Sequence, residues 1–320
     1  MNSTQWSYLV FGVVLLVAVL LDLGLVSTRA KSISLKQAFY QTIFWVGLAL
    51  VFFTFLWFQN GHVMAIEYIS AYLMEWSLSI DNIFVFILIF NFFSIKRAYY
   101  GRVLLLGILM AILFRIIFIS IGIVLVARFD WILYLFGAFL VYTGIKMFFV
   151  KHDEEFNPSD SIVYNLLRKV VPITNIDAGG NYTVIVNGKK HFTILFVIVI
   201  LLATTDIIFA LDSIPAVFAI TQHKLVIYTS NIFAVLGLRS LFFLLRGAVS
   251  KFEYLQQGIA IVLLFVGGKM LAQYFDVHIS IWISLTVILL CLSGSILISM
   301  ITNKPGIPVD VSDTPNTTTN

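Results

Sequence analysis

The sequence predicts an all-α fold: a polytopic membrane helix bundle with about nine transmembrane helices. Sixty per cent of the residues are hydrophobic, 11 per cent are charged, and the mean hydropathy is +1.01. Such values lie outside the usual range for soluble globular domains. Nine hydrophobic runs are long enough to cross a bilayer, and each is bounded by charge, glycine or polar residues. These predicted spans are residues 6–26, 37–58, 65–94, 103–125, 132–150, 192–218, 225–247, 256–275 and 279–302.

Basic residues are distributed unevenly among the predicted loops. Loops after odd-numbered spans hold most of the lysines and arginines, whereas loops after even-numbered spans hold only Arg128 and Lys224. Because positive charge is retained on the cytoplasmic side, this asymmetry predicts an N-terminus outside and a C-terminus in the cytoplasm. We therefore attribute the net charge of +4 to loop orientation and not to nucleic-acid binding. The first run lacks a basic leader and a cleavage signal, which predicts a retained helix.

Several classes of chemistry are disfavoured by the residues present. The single cysteine, Cys291, lies in an apolar run, so neither a disulfide framework nor a thiolate metal cluster is expected. The spans contain no Ser/His or zinc-binding His pattern and no phosphate-binding glycine loop. We therefore expect no enzyme activity and no permanently bound cofactor. Any active transport would have to draw on an ion gradient.

Two parts of the chain resemble each other. Each holds an acidic pair, a downstream lysine and an arginine inside a span, Arg115 or Arg239. The clearest matches are "RFDW" at 128–131 with "KFEY" at 251–254, and "GIKM" at 144–147 with "GGKM" at 267–270. An odd number of helices separates the two starts, so the repeat would be inverted in the membrane. Inverted repeats are typical of alternating-access transporters, with the substrate site near the midplane at the repeat interface.

The repeat defines the predicted organisation of the chain. The divisions are transmembrane helices 1 and 2 (1–58), the first three-helix repeat (64–150), a cytoplasmic loop (151–191), the second three-helix repeat (192–275), the last transmembrane helix (276–302) and a disordered cytoplasmic tail (303–320). Within the loop, "NYTVIVNGKK" predicts a short hairpin with an Asn-Gly turn, although the loop as a whole is predicted to be a solvated linker.

Two acidic pairs interrupt the apolar spans, in "EWSLSID" at 75–81 and "DIIFALD" at 206–212. An ionisable group near the bilayer centre costs roughly 2.5–3.5 kcal/mol, so four of them would cost on the order of 10 kcal/mol if unpaired. One means of compensation is internal pairing with the basic residues of the spans, which are Arg115, Lys146, Arg239 and Lys269. The other is binding of a cation.

The residues around the acids favour cation binding. Hydroxyl and amide groups accompany both pairs, at Ser77, Ser79, Asn82, Thr204, Thr205 and Ser213. Oxygen ligands of this kind suit Mg²⁺, Ca²⁺ and Mn²⁺. The histidines fall in loops or at helix ends, where each is predicted to be a surface residue; they are His62, His152, His191, His223 and His278.

The six-residue spacing restricts how each pair could act. On a regular helix the two acids differ by about 120° in direction and about 9 Å in height. They cannot then both reach one ion at about 2.1 Å. Either the helix is broken between them or the acids serve different steps. Pro215 favours a break in the sixth span that frees the carbonyl of Leu211, with a simple kink as the alternative. In the third span a break is inferred only by analogy. Asp22, near the inner end of the first span, is either a helix-end residue or an ion gate.

When they are extended on their C-terminal sides, the two acidic segments resemble the signature segments of the TerC family of integral membrane proteins. They are "EWSLSIDNIFVF" at 75–86 and "DIIFALDSIPAVFA" at 206–219. "FDWILYLFGAFLVYTGIKM" at 129–147 and "SNIFAVLGLR" at 230–239 are similar to its Alx branch. The resemblance implies a bacterial inner-membrane protein of the LysE-like transporter group that exports manganese(II), and the family's name records an association with tellurite resistance. By position, the family's motif residues fall on Glu75, Asp81, Asn82, Asp206, Asp212 and Ser213. This chain has Thr204 and Thr205 where the family often has Glu or Leu and Ser.

Together these observations predict a divalent metal-ion exporter, with Mn²⁺ as the transported ion and the lipid bilayer as its surroundings. Glu75, Asp81, Asp206 and Asp212 would bind the ion. Further ligands would come from Asn82, Ser213, Thr205 and the Leu211 carbonyl. Release would follow if Arg115 or Arg239 moved to the acids or if a proton replaced the metal; Asp22, Lys146 and Lys269 are further candidates for gating or charge compensation. Two alternatives stay open: a transporter for Ca²⁺ or a basic amino acid, and a membrane scaffold for a metal or tellurite stress-response complex.

Overall fold

The computed structural model describes residues 3–27, 34–129, 131–149, 162–174, 176–246, 254–275, 277 and 279–302. Within its helices a few side chains are also outside the described part, among them those of Asp22, Asp81 and Asp212.

Eleven α-helices account for most of the described chain. They are α1 (Ser3–Ser27), α2 (Leu35–Asn60), α3 (His62–Phe92), α4 (Tyr100–Arg128), α5 (Ile132–Phe149), α6 (Ile162–Val170), α7 (Ile194–Ile220), α8 (Lys224–Leu236), α9 (Leu238–Leu245), α10 (Leu255–Ala272) and α11 (Ile281–Thr302). Seven of these, namely α2, α3, α4, α5, α7, α10 and α11, are long and apolar enough to cross a membrane. Helices α8 and α9 meet at a 41° bend and together make an eighth candidate.

The predicted polytopic helical bundle is confirmed. The described apolar stretch of α1, Gln5–Val17, is shorter than a full span, so the number of nine stays a prediction. The inverted repeat also stays a prediction. The order of long helices agrees with it, because α3, α4 and α5 are followed, after the extramembrane segment, by α7, the bent pair α8–α9 and α10.

Helices α3 and α7 form the centre of the bundle. They are the most buried of the seven single-helix spans, and they pack against each other. Helix α3 also contacts α2 and α8, while α7 contacts α4 and α5. These two central helices carry the two acidic segments, so Glu75 and Asp206 lie where side chains from several helices converge.

Both central helices are continuous through their acids. The helix runs without interruption from 75 to 81 in α3 and from 206 to 212 in α7, and Pro215 lies inside α7. The predicted break is therefore wrong. Pro215 removes only one backbone hydrogen bond, and the residues that follow it are buried against neighbouring helices, which can hold a proline-containing membrane helix together.

The extramembrane segment is more ordered than a solvated linker where it is described. Strands β2 (Thr183–Val186) and β3 (Lys189–Thr193) form the predicted antiparallel hairpin, with Val186 opposite Lys189. The turn residues Asn187 and Gly188 both have positive φ, 50° and 74°, as a type I′ turn requires. A short strand β1 (Ile173–Thr174) pairs parallel to β3, giving the order β1-β3-β2.

This small sheet is anchored on the loop between α3 and α4. The Lys96 ammonium donates to Asp177 at 2.6 Å, and the Tyr99 hydroxyl donates to the same carboxylate at 3.1 Å. The hydrogen bond from Lys96 is the main cause that lowers the pKa of Asp177. Tyr164 of α6 packs on Phe93, with ring centroids 5.6 Å apart. The segment thus forms an ordered cap at one end of α3, and the linker interpretation is wrong for the described residues.

Close packing between α5 and α10 provides a test of the bundle. A Cβ atom at Gly267 would lie 2.8 Å from the Gly137 carbonyl oxygen and 2.9 Å from the Leu140 Cβ, whereas a Cβ at the adjacent Gly268 would meet nothing within 4 Å. We expect Gly267→Ala to cost about 1–3 kcal/mol because the helices must separate. Gly268→Ala should be neutral or slightly stabilising, since alanine is the better helix former. Thermal unfolding of the detergent-solubilised variants measures both, and equal stability of the two would refute this packing.

Candidate cation-binding site

Arg115 of α4 joins the two acidic segments. Its Nε and Nη2 donate to the two carboxylate oxygens of Asp206, each at 3.0 Å, in a bidentate arrangement. Its Nη1 donates to Glu75 Oε1. One guanidinium thus holds an acid from α3 and an acid from α7, the first acid of each segment.

The cluster is removed from solvent. Glu75 is 0 per cent exposed, and Asp206 and Arg115 are each 1 per cent exposed. Two amides complete the arrangement. Asn82 Nδ2 lies 3.4 Å from Asp206 Oδ1, and Asn231 of α8 accepts from Arg115 Nη1 at 3.2 Å while donating to the Ile227 carbonyl at 3.0 Å. Helices α3, α4, α7 and α8 each contribute at least one of these residues, so the site lies at the centre of the bundle.

The site retains acceptor capacity that the described side chains do not use. Glu75 Oε2, Ser79 Oγ and Ser213 Oγ are buried and have no hydrogen-bond partner among the described groups. A buried polar group without a partner costs about 1–3 kcal/mol. The formal charge of Glu75, Asp206 and Arg115 together is −1. A cation that reached these oxygens would satisfy them and offset the remaining negative charge.

The register of α3 against α7 groups these residues in two facing pairs, on levels about 10 Å apart along the helix axis. Asn82 contacts Asp206, and Glu67 accepts from Thr221, so in both antiparallel pairs the residue numbers add up to 288. The same register puts Glu75 opposite Ser213. Glu75 therefore faces Ser213, which lies seven residues after Asp206. In the same way Asp206 faces Asn82, which lies seven residues after Glu75. This crosswise arrangement is what an inverted repeat with a two-fold axis between α3 and α7 would produce.

Not every predicted ligand is brought to this cluster. The side chains of Asp22, Asp81 and Asp212 lie outside the described residues. Leu211 is 51 per cent exposed and lies on the outer face of α7. Thr204, Thr205 and Ser77 each donate to a carbonyl of their own helix. Of the predicted companions, Asn82 contacts the cluster, and Ser79 and Ser213 have buried hydroxyls without a partner among the described groups.

The four basic residues of the spans have different environments. Arg115 forms two buried ion pairs, with Glu75 and with Asp206. Lys269 is 8 per cent exposed and donates to Ser284 of α11 at 3.0 Å. Arg239 is buried in α9, whereas Lys146 is exposed in the last turn of α5. Because Lys146 is exposed and Lys269 is held by a serine, the described part of the structure does not show internal pairing with acids by all four residues.

Two polar residues that matter were not predicted from the sequence. Asn231 accepts a hydrogen bond from Arg115. Glu67, near the N-terminal end of α3, pairs with His223. Glu67 is a single charged residue in an apolar run, and Asn231 ends the polar triplet 229–231 within a predicted span; these were the available signals. Among the residues that the structure describes, no three His, Cys, Asp or Glu side chains are grouped to hold a metal ion. The Asp81 and Asp212 side chains are not part of that set.

Comparison with known proteins identifies the family. The model of the integral membrane protein TerC family matches residues 60–306. The chain belongs to the TerC family. This TerC protein is thus a multi-pass integral membrane protein, and the matched range contains both acidic segments.

Relatives cover nearly the whole TerC chain. An "Uncharacterized membrane protein STKORF319" of Myxococcus xanthus is 43% identical over 295 residues, covering 92% of each chain. The Escherichia coli K12 protein named "Putative membrane-bound redox modulator Alx" is 40% identical over 287 residues, covering 87% of this chain and 89% of its own. A Rickettsia prowazekii membrane protein is 38% identical over 295 residues, covering 92% and 99%. No solved structure gives a significant match.

Proposed function

We propose that this TerC protein is a divalent metal-ion exporter that moves Mn²⁺ across the bacterial inner membrane by alternating access. The observation that carries the proposal is the position of Arg115 between Glu75 and Asp206. The guanidinium group binds two carboxylates at the centre of an apolar bundle. The acids come from the two predicted inverted halves, where alternating-access transporters bind their substrates.

Arg115 would act as an internal substitute for the transported ion. Its guanidinium engages both oxygens of Asp206 and one oxygen of Glu75, so an incoming metal must displace it. Once it is displaced, the two carboxylates carry a formal charge of −2, which matches a divalent cation. When Arg115 returns, it competes with the ion and favours release. The exchange spares the protein an uncompensated buried charge, which would be strongly destabilising.

The donor set suits a hard cation. Glu75 and Asp206 supply carboxylate oxygens, Ser79 and Ser213 supply buried hydroxyls without partners, and Asn82 is adjacent. Oxygen ligands of these types are preferred by Mn²⁺, Mg²⁺ and Ca²⁺. We take Mn²⁺ as the substrate on the family resemblance and propose that the inward proton gradient drives the exchange. The single cysteine of the sequence precludes an internal dithiol, so any redox role of the kind in the Alx name would not use one.

A basic amino acid is the second candidate substrate. Arg115 itself demonstrates that Glu75, Asp206 and Asn231 can hold a guanidinium. A substrate with a guanidinium or ammonium side chain could occupy the same place when Arg115 moves away. A divalent metal ion and a basic amino acid differ in size and in charge, so different solutes should compete with each of them for the site.

Flux into proteoliposomes tests the proposal. We expect Mn²⁺ transport by the wild-type protein that increases when a pH gradient is imposed, and none in protein-free vesicles. Excess lysine and arginine should not compete, whereas other divalent cations should. Lysine or arginine flux without Mn²⁺ flux would favour the second candidate, and absence of both would contradict the transport proposal.

A further inference from the structure

Three side chains converge at the opposite end of α3 from the extramembrane cap. Thr221 Oγ1 donates to Glu67 Oε2 at 2.6 Å, and His223 Nδ1 lies 2.7 Å from the same oxygen. The distance between Thr221 Oγ1 and His223 Nδ1 is 3.5 Å. We refer to Glu67, Thr221 and His223 as the mouth triad. His223 was predicted to be a plain surface histidine, but it is partnered by a carboxylate.

The mouth triad lines an open cavity. The cavity has a volume of about 470 Å³ and is also lined by Lys269 and Gln273 of the α10 end. Glu67 precedes Glu75 by eight residues on the continuous α3, which corresponds to roughly 12 Å along the helix axis. The loop charges predict that this end of the bundle faces outside. The triad therefore stands between the central site and the outer solution.

The spacing of the three donor atoms matches one face of an octahedron. For bond lengths of about 2.1 Å, ligands at right angles around a small divalent cation are separated by roughly 3 Å. The observed separations of 2.6, 2.7 and 3.5 Å lie around this value. A cation placed against these three atoms would replace the hydrogen bonds that now join them, with the Thr221 hydroxyl keeping its proton, and the cavity would supply water for its other positions. An imidazole nitrogen together with two oxygens favours first-row transition metals over Ca²⁺ and Mg²⁺.

The charged surroundings would keep this binding weak. Lys269 of α10 lines the same cavity, with its ammonium held by Ser284 at 3.0 Å, and Lys224 follows His223 directly and is exposed. Lys269 thus brings a positive charge into the cavity that Glu67, the carboxylate of the triad, also lines. A site that passes an ion to the outside must release it readily. The arrangement fits release better than storage.

We propose that Glu67, Thr221 and His223 form a second, low-affinity binding site for a divalent transition-metal cation at the outer mouth. Its place on an export route rests on the proposed function, whereas the binding itself does not. The central cluster contains no imidazole in its described part, so a nitrogen ligand to bound metal distinguishes the two sites.

Pulsed electron paramagnetic resonance of the purified full-length protein with Mn²⁺ tests the site. Asp206→Asn is used as the background to weaken the central site. We expect nitrogen coupling to the bound Mn²⁺ that is lost in His223→Gln and retained in His62→Gln, a matched exposed histidine at the same end of α3. Lys269→Gln should tighten this binding severalfold and leave the nitrogen coupling in place. Coupling that is absent from the background protein, or that persists in His223→Gln, would overturn the proposal.

Flux measurements separate this proposal from the export proposal. If wild-type protein carries no Mn²⁺ but nitrogen coupling is present and depends on His223, the mouth site stands and export fails. If Mn²⁺ flux is present and His223→Gln binds and transports Mn²⁺ as His62→Gln does, export stands and the mouth site fails.

Discussion

Replacement of Arg115 by glutamine is expected to raise the affinity of the purified protein for Mn²⁺ about tenfold or more and to destabilise the metal-free protein. Arg115 is the basic group that holds Glu75 and Asp206, so its loss leaves two buried carboxylates without their ion pairs. Breaking such a pair costs about 3–5 kcal/mol. Because the metal no longer has to displace a guanidinium, its binding improves, and a tenfold gain is about 1.4 kcal/mol. Thermal unfolding in detergent across a Mn²⁺ titration measures both effects, since ligand binding to the folded state raises stability.

Lys146→Gln is the matched control for the Arg115 variant. Lys146 is also a basic residue within a span, but its side chain is exposed on α5. Its replacement should leave both the metal-free stability and the Mn²⁺ dependence unchanged. If Arg115→Gln responded to Mn²⁺ as the wild type does, Arg115 would not compete with the metal. If Mn²⁺ stabilised neither protein, the central cluster would not be a metal site.

The positions of the helices could be predicted from the sequence because apolar run length is a local property. The fifth predicted span, 132–150, corresponds to Ile132–Phe149, and the sixth, 192–218, to Ile194–Ile220. The hairpin was predictable for a similar reason: Asn187 and Gly188 favour the positive φ that its turn requires. In each case the determining residues lie next to one another in the chain.

The course of α7 at Pro215 could not be predicted in this way. The missing N–H of proline is a local signal for a break, but the helix is continuous. What decides the outcome is the packing of the following residues, such as Ala216 and Val217, which are fully buried by other helices. Contacts with other helices cannot be deduced from the residues next to Pro215 in the sequence.

The composition of the central site was predictable, but its pairing was not. Glu75, Asp206 and Arg115 are conspicuous as charges in apolar spans. The sequence left both internal pairing and cation binding open, and the structure shows that both acids bind Arg115 while one oxygen of Glu75 has no partner among the described groups. The contribution of Asn231 depends on α8 packing against α3 and α4, which sequence spacing does not reveal.

Glu75→Gln and Asp206→Asn are each expected to weaken Mn²⁺ binding about 100-fold and to abolish Mn²⁺ flux. The two acids share one guanidinium and belong to different helices, so a single ion between α3 and α7 needs both. Residues that act on one ligand are not additive. The double variant should therefore bind Mn²⁺ little more weakly than either single variant. Isothermal titration measures the affinities, and vesicle flux measures transport.

Asp81→Asn provides the contrasting case within α3. Because α3 is continuous, Asp81 is displaced from Glu75 by about 120° around the helix and about 9 Å along it. We expect Asp81→Asn to reduce flux while changing the Mn²⁺ affinity by less than about threefold, since the two acids would serve different steps. An affinity loss as large as that of Glu75→Gln would show that both acids reach one ion. In that case α3 must break when the metal binds, because a continuous helix holds the two carboxylates too far apart to share an ion.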